Sequence, residues 1–104
     1  MTLEEIKQLV VSADEYATRS ESAERTTGNY TVWREVRQIG LRADNLHEEG
    51  WAFQIDRFTK EENDTVAAAI RAALDADVRV AYHYESDYEP QTRFIHHIFD
   101  CEGY

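Results

Sequence analysis

Three of the chain's four histidines, His83, His96 and His97, fall with its only cysteine, Cys101, inside one short stretch, Val78–Cys101. Imidazole nitrogen and thiolate sulfur are ligands for zinc or copper, so the stretch invites a metal reading. Neighbouring residues of a strand point to opposite faces, which lets only one of His96 and His97 join His83. The cluster such a site would use is His83, His96 and Asp100. No closely fixed ligand spacing supports it, and strand histidines with polar partners need no metal, so neither metal nor cofactor is assigned. Cys101 beside a histidine could in principle form a nucleophile pair. It has no nucleophile elbow, helix N-terminal setting or third orienting group in view, and a small buried hydrophobe is the expectation. A chain with four glycines carries no Gly-rich phosphate loop, and no carboxylate pair is spaced for acid and base roles. The chain is read as non-enzymatic.

The same stretch offers a binding surface. Tyr82, Tyr84, Glu85, Asp87, Tyr88 and Glu89 interleave rings with carboxylates, a composition suited to an Arg-rich partner: tyrosine packs on a guanidinium while a carboxylate pairs with it. Glu4, Glu5, Asp14, Glu15, Glu21 and Glu24 near the start could extend an anionic face. These residues belong to a chain of 104 residues with a formal net charge of −10. Residues 1–28 carry 3 basic and 6 acidic side chains and residues 77–104 carry 2 and 6, so the ends hold most of the excess. Such a balance argues against direct nucleic-acid binding and against adhesion to anionic membrane, and it draws a basic partner. A single cysteine permits no internal disulfide. With no leader and no apolar run near bilayer length, a soluble cytoplasmic protein is expected.

Thr2-Leu3-Glu4-Glu5 fits a capping box, and apolar positions at Leu3, Ile6, Val10, Ala13 and Ala17 predict a helix running to about Glu24, with Gly28 as its C-terminal cap. Val32, Val36, Ile39, Ala43 and Leu46 step by four and three, predicting a second helix over 30–49; a strand over 30–36 is the alternative. Trp51, Phe53 and Ile55 alternate with Ala52, Gln54 and Asp56 and predict a strand over 51–58. An alanine-rich helix follows, capped from Thr59 or from Asn63 or Asp64, with Val66, Ile70, Ala73 and Leu74 buried, and ends near Ala76. Two strands joined by the polar turn Ser86–Gln91 close the chain. Val78, Val80, Tyr82 and Tyr84 share one face of the first. Pairing Tyr84 with Phe94 would set Tyr82 against His96. Pairing Tyr84 with Ile95 would set Val80 against Phe99, Val78 against Cys101 and His83 against His96; the second register buries the more apolar set and is preferred.

The fold class that results is α+β in a single domain over 1–104: a helical hairpin (1–50), then a β-α-β-β unit (51–104), with a small three-stranded mixed sheet and helices on one face. The leading functional expectation is a small acidic binding protein, an inhibitor or nucleic-acid mimic occupying the basic site of a partner such as a nucleic-acid-handling enzyme. A homodimer that binds a small ligand or metal through His83 and His96, with Trp33 and Trp51, is one alternative. A structural subunit of a larger assembly is the other.

Overall fold

The computed structural model describes residues 1–20, 28–40, 42–43, 46–47 and 49–104. The elements run α1 Leu3–Ala13, β1 Thr18–Arg19, β2 Tyr30–Ile39, β3 Arg42–Ala43, β4 Leu46–His47, β5 Gly50–Thr59, α2 Thr65–Ala76, β6 Val80–Glu89 and β7 Phe94–Gly103. The class is α+β, as the sequence suggests, but the described residues place five strands in one mixed sheet, ordered β1-β2-β5-β7-β6, where three were expected. β1 runs parallel to β2 and the other neighbours are antiparallel. β5 and β6, on either side of α2 in the chain, are therefore parallel to each other with β7 inserted between them. Among the described residues no helix is long and apolar enough to cross a membrane.

α1 begins on the capping box its sequence announces: the Thr2 hydroxyl accepts from the Glu5 amide at 3.1 Å, and the Glu5 carboxylate accepts from the Thr2 amide at 2.9 Å. It ends at Ala13 rather than near Glu24. Asp14 turns the chain out of the helix, its carboxylate accepting from the Tyr16 amide at 3.0 Å and its carbonyl from the Ala17 amide at 3.1 Å. Glu21 and Glu24 lie outside the described residues, as do residues 25–27, and Gly28 sits at a bend before β2. α2 takes Asp64 as its N-cap, the side chain accepting from the Ala67 amide at 2.9 Å.

The predicted second helix is instead strand β2, followed by the small β3–β4 pair. Tyr30-Thr31-Val32-Trp33 is a run of β-branched and aromatic residues, and their preference for a pleated surface prevails. The four-and-three spacing that imitated a helix has a specific origin. The register between β2 and β5 shifts between Glu35 and Arg37, a bulge that spends one extra residue on β2. Before the bulge, residues on one face are an even number apart; across it the count becomes odd. Val32, Arg34, Arg37 and Ile39 consequently stand opposite Asp56, Gln54, Ala52 and Gly50, all on one face of β5.

β6 and β7 pair in neither anticipated register. Tyr84 stands opposite Phe99, Tyr82 opposite Cys101, Val80 opposite Gly103 and His83 opposite Asp100. The reason lies in the turn. Residues Ser86 to Glu89 continue the strand, and the reversal is made by Pro90 to Arg93, with Arg93 in the left-handed region (φ 64°) and its amide donating to the Glu89 carbonyl at 2.7 Å. The set chosen for the inner face, Ile95, His97, Phe99 and Cys101, does face the helices.

Both helices lie on that face. Ile6 and Val10 of α1 and Ile70 and Leu74 of α2 pack with Trp33, Phe53, Ile55 and Phe99 of the sheet, all at most 2 % exposed. Each such side chain contributes roughly 2 kcal/mol through burial. Where α1 begins, Met1 lies on Gly103, whose missing Cβ leaves room for the thioether: a Cβ there would stand 2.5 Å from the Met1 sulfur.

At the far end of this core the buried polar group is a guanidinium. Arg57 of β5 donates to both carboxylate oxygens of Asp64 (2.8 and 3.2 Å) and to the Thr31 hydroxyl (3.2 Å), and it lies 3.6 Å from Asp14. It thereby joins the C-cap of α1, the N-cap of α2 and two central strands. Replacing Arg57 with methionine leaves Asp14 and Asp64 buried without their cation, and is expected to cost about 3–5 kcal/mol in urea denaturation. The triple change R57M/D14N/D64N should recover part of that loss. A cost under about 1 kcal/mol for R57M would mean the network is worth no more than a surface pair.

Candidate functional site

With both helices on one side, the opposite face of the sheet is uncovered by any described element. Register assigns its residues: Tyr30, Val32, Arg34 and Arg37 from β2, Ala52, Gln54, Asp56 and Phe58 from β5, Phe94, His96, Ile98, Asp100 and Glu102 from β7, and Ala81, His83, Glu85, Asp87 and Glu89 from β6.

Rings gather at one end of this face. Tyr30 stacks on Phe58 (centroids 4.6 Å apart), Phe58 stacks on His96 (4.1 Å), and Phe94 meets Tyr30 and Phe58 edge-on. His96 Nε2 lies 2.7 Å from Asp56, which also accepts from the Gln54 amide. At the other end is an open trough of about 470 Å³, with Arg34 and Arg37 on one bank and His83, Asp100 and Glu102 on the other. Charge is therefore graded across the strands: the β2 side is basic, and the β6–β7 side carries Glu85, Asp87, Glu89, Asp100 and Glu102. The trough and the ring cluster were not anticipated. Phe58 and Phe94 fall out of step with the inward-facing aromatics of their own strands, and that was the available signal.

The six hairpin residues singled out from sequence divide between the two faces. Glu85, Asp87 and Glu89 share the open face, in line along β6. Tyr82 and Tyr84 point to the helices and already have partners: the Tyr82 hydroxyl donates to Asp75 at 2.5 Å, and Tyr84 lies 2.7 Å from His97 Nδ1 with the Arg71 guanidinium 4.6 Å from its ring centroid. The cation expected from a partner on Tyr84 is thus supplied from within the chain. Tyr88 extends beyond the helices and is 54 % exposed. Of the first-helix acids, Glu5 pairs with Arg79, Asp14 is buried against Arg57, and Glu4 and Glu15 face solvent.

His83, His96 and Asp100 all lie on the open face but do not converge. His83 is opposite Asp100, whereas His96 is opposite Asp87 and bound to Asp56. Among the described residues no three His, Cys, Asp or Glu side chains are grouped to hold a metal ion. Trp33 is in the core, and Trp51 is half-buried with its indole N–H donating to Glu49 at 3.2 Å. Cys101 is 3 % exposed; burial, reinforced by Asp100, pushes its thiol well above the ordinary range, so it is a neutral S–H that donates to the Phe99 carbonyl.

A second cavity, of about 360 Å³, lies beneath the start of α2, bounded by Asp64, Arg71, Tyr84, His97 and Phe99. His97 Nε2 is buried and has no hydrogen-bond partner among the described residues. Burial pushes the His97 pKa down, with Arg57 and His96 acting in the same direction against the opposing pull of Asp64. For Asp64 itself burial works to raise the pKa, but the hydrogen bonds from Arg57 and from the Ala67 amide outweigh it and hold the carboxyl below its ordinary value.

No known protein-family profile matches the chain, and no curated protein matches it.

The two shifts have the same consequence in acid. For each group the folded pKa lies below the unfolded one, so the unfolded chain takes up the proton first as pH falls. The His97 contribution is complete above its ordinary 6.5 and is lost as pH drops through the folded value; that of Asp64 is complete above 3.8 and is lost below it. Urea midpoints measured against pH should therefore decline in two stages. H97F should abolish the first stage and leave the second, and an unchanged first stage would assign it to other groups.

Proposed function

We propose that this chain is a non-enzymatic protein-binding domain that presents the acidic β6–β7 side of its sheet to a basic surface of another protein. The observation that carries this reading is the alignment of Glu85, Asp87 and Glu89 on one face of an edge strand, next to Asp100 and Glu102 of its neighbour. Five carboxylates on two adjacent strands repel one another, and a cationic partner relieves that repulsion. On this face Arg34 and Arg37 lie across the trough, with Arg37 3.9 Å from Glu102, and the Lys60 ammonium sits over the ring of Phe94, the residue opposite Glu89; Glu85 and Asp87 have no ion pair among the described residues.

A homodimer through the open face is supported less well. The apolar residues that an obligate dimer would bury are largely covered already: Val32 is 9 % exposed, Phe94 7 % and Ala52 6 %. Of the exposed large apolar side chains, Val36 lines the trough, whereas Tyr16 follows α1 and Val78 lies between α2 and β6. An inhibited enzyme with a nucleic-acid-binding site and a neighbouring subunit of an assembly would use the same acidic surface; the identity and stoichiometry of the captured partner separate them.

The test is capture at low salt from lysate of the source cells, by the parent chain and by the triple variant E85Q/D87N/E89Q in parallel. A basic protein held by the parent, absent from the variant, and released by a salt step is the expected outcome. With that protein purified, raising the ionic strength from about 0.05 to 0.5 M should weaken binding at least about ten-fold, as screened charges require. Equal capture by parent and variant would remove the acidic strand from the explanation.

A further inference from the structure

The proposed binding face ends in a strand whose outer edge is paired with no described residue, and the two edges of the sheet differ in how they are protected. At the β2 edge, β1 covers Val32 and Trp33, Arg19 of β1 pairs with Glu35, and the bulge before Arg37 bends the strand away. These are the usual defences of an edge strand. β6 has none of them. Its ten residues pair with β7 in unbroken register from Val80 to Glu89, with no proline or glycine inside the strand.

The direction of each backbone group of β6 follows from two hydrogen bonds. The Arg79 carbonyl accepts from the Tyr104 amide at 3.0 Å, so the odd-numbered residues of the strand are the ones bonded to β7. The even-numbered residues turn outward; accordingly the Val80 amide, the first of them, is taken by the Asp77 carbonyl at 3.1 Å. After it, the outward N–H and C=O groups of Tyr82, Tyr84, Ser86 and Tyr88 make no hydrogen bond with any described residue.

We infer that this edge accepts an extended basic strand from the partner, by main-chain pairing along Tyr82 to Glu89. The occupant's side chains are specified by the strand it would join. On the open face they would lie beside His83, Glu85, Asp87 and Glu89, which favours lysine or arginine at every second position. On the helix face they would lie beside Tyr82, Tyr84 and Tyr88, which favours apolar or aromatic residues. The occupant is therefore a segment of alternating basic and apolar residues. A second copy of β6 is the wrong partner, because it would set Glu85, Asp87 and Glu89 against the same acids. The inference rests on the protein-binding reading above and adds to it the backbone as a recognition element.

The probe is a capped ten-residue peptide alternating lysine and valine, compared with a peptide of the same composition whose lysines and valines are in separate blocks. The alternating peptide should bind about ten-fold more tightly and should slow amide hydrogen exchange at Tyr82, Tyr84, Ser86 and Tyr88, leaving the β7-bonded odd residues as they were. Ser86→Pro removes an outward N–H without touching the β6–β7 ladder or any charge, and should weaken binding at least about ten-fold, while Ser86→Thr should bind as the parent does. Should the proline variant fail to fold, the exchange pattern of the parent decides alone. If both peptides bind equally without protecting those amides, or if Ser86→Pro binds unchanged, the edge proposal is overturned and the charge reading survives. If neither peptide binds even at low salt, both fall.

Discussion

The arrangement of this protein depends on one buried guanidinium. Arg57 sits on a central strand, 6 % exposed, between the carboxylate that ends α1 and the carboxylate that begins α2. Desolvating an arginine is tolerable only where its donors are satisfied, and here Asp64 takes two of them, Thr31 a third, and Asp14 stands close. The same aspartates have local duties: Asp64 caps α2 through the Ala67 amide, and Asp14 holds the turn that ends α1 through the Tyr16 amide. One cation thereby ties two helix termini to the sheet. That tie keeps both helices on the same face and leaves the other uncovered.

This link was not legible in the sequence. Arg57, Asp14 and Asp64 are ordinary charged residues by position, and in a chain with 21 acidic side chains nothing separates the two that are buried from the rest. Asp14 was read as part of an anionic surface for that reason. What was legible was local. The capping box at Thr2, the strand from Trp51 onward and the alanine-rich helix after it all follow from short-range chemistry and are present in the structure, which takes Asp64 as the cap of that helix from the three candidates Thr59, Asn63 and Asp64.

The misreadings have a common physical source, a local irregularity that changes counting. The bulge before Arg37 converts an even spacing into an odd one, and the result cannot be told from the periodicity of a helix by position alone; only the aromatic and β-branched start of β2 argued the other way. In the terminal hairpin the inward face was correctly chosen, because alternation survives any shift by an even number. The register was not, because it is set by where the turn occurs. Pro90 and the left-handed Arg93 place that turn beyond the acidic run, so Ser86 to Glu89 became strand where a loop was expected. The candidate residues were consequently sorted by the pleat: three carboxylates to the open face, two tyrosines to the helices.

That sorting bears on which strands an exposed edge would admit. A straight, unbulged edge is a template for any strand, and a protein that leaves one open must exclude the wrong occupants. Lysines or a bulge would exclude strands generally. Acids at alternate positions exclude only those that bring acids with them, which includes the β6 strand of a second copy. The same three side chains that would bar self-pairing would reward a strand with cations at the matching positions, so solubility and selectivity need not be separate features of the surface. The tyrosines turned toward α2 fix the strand from the other side: Tyr82 is held by Asp75, and Tyr84 by His97 and Arg71. An edge fixed in this way requires little further ordering on binding, and the cost of association then falls mainly on the incoming segment.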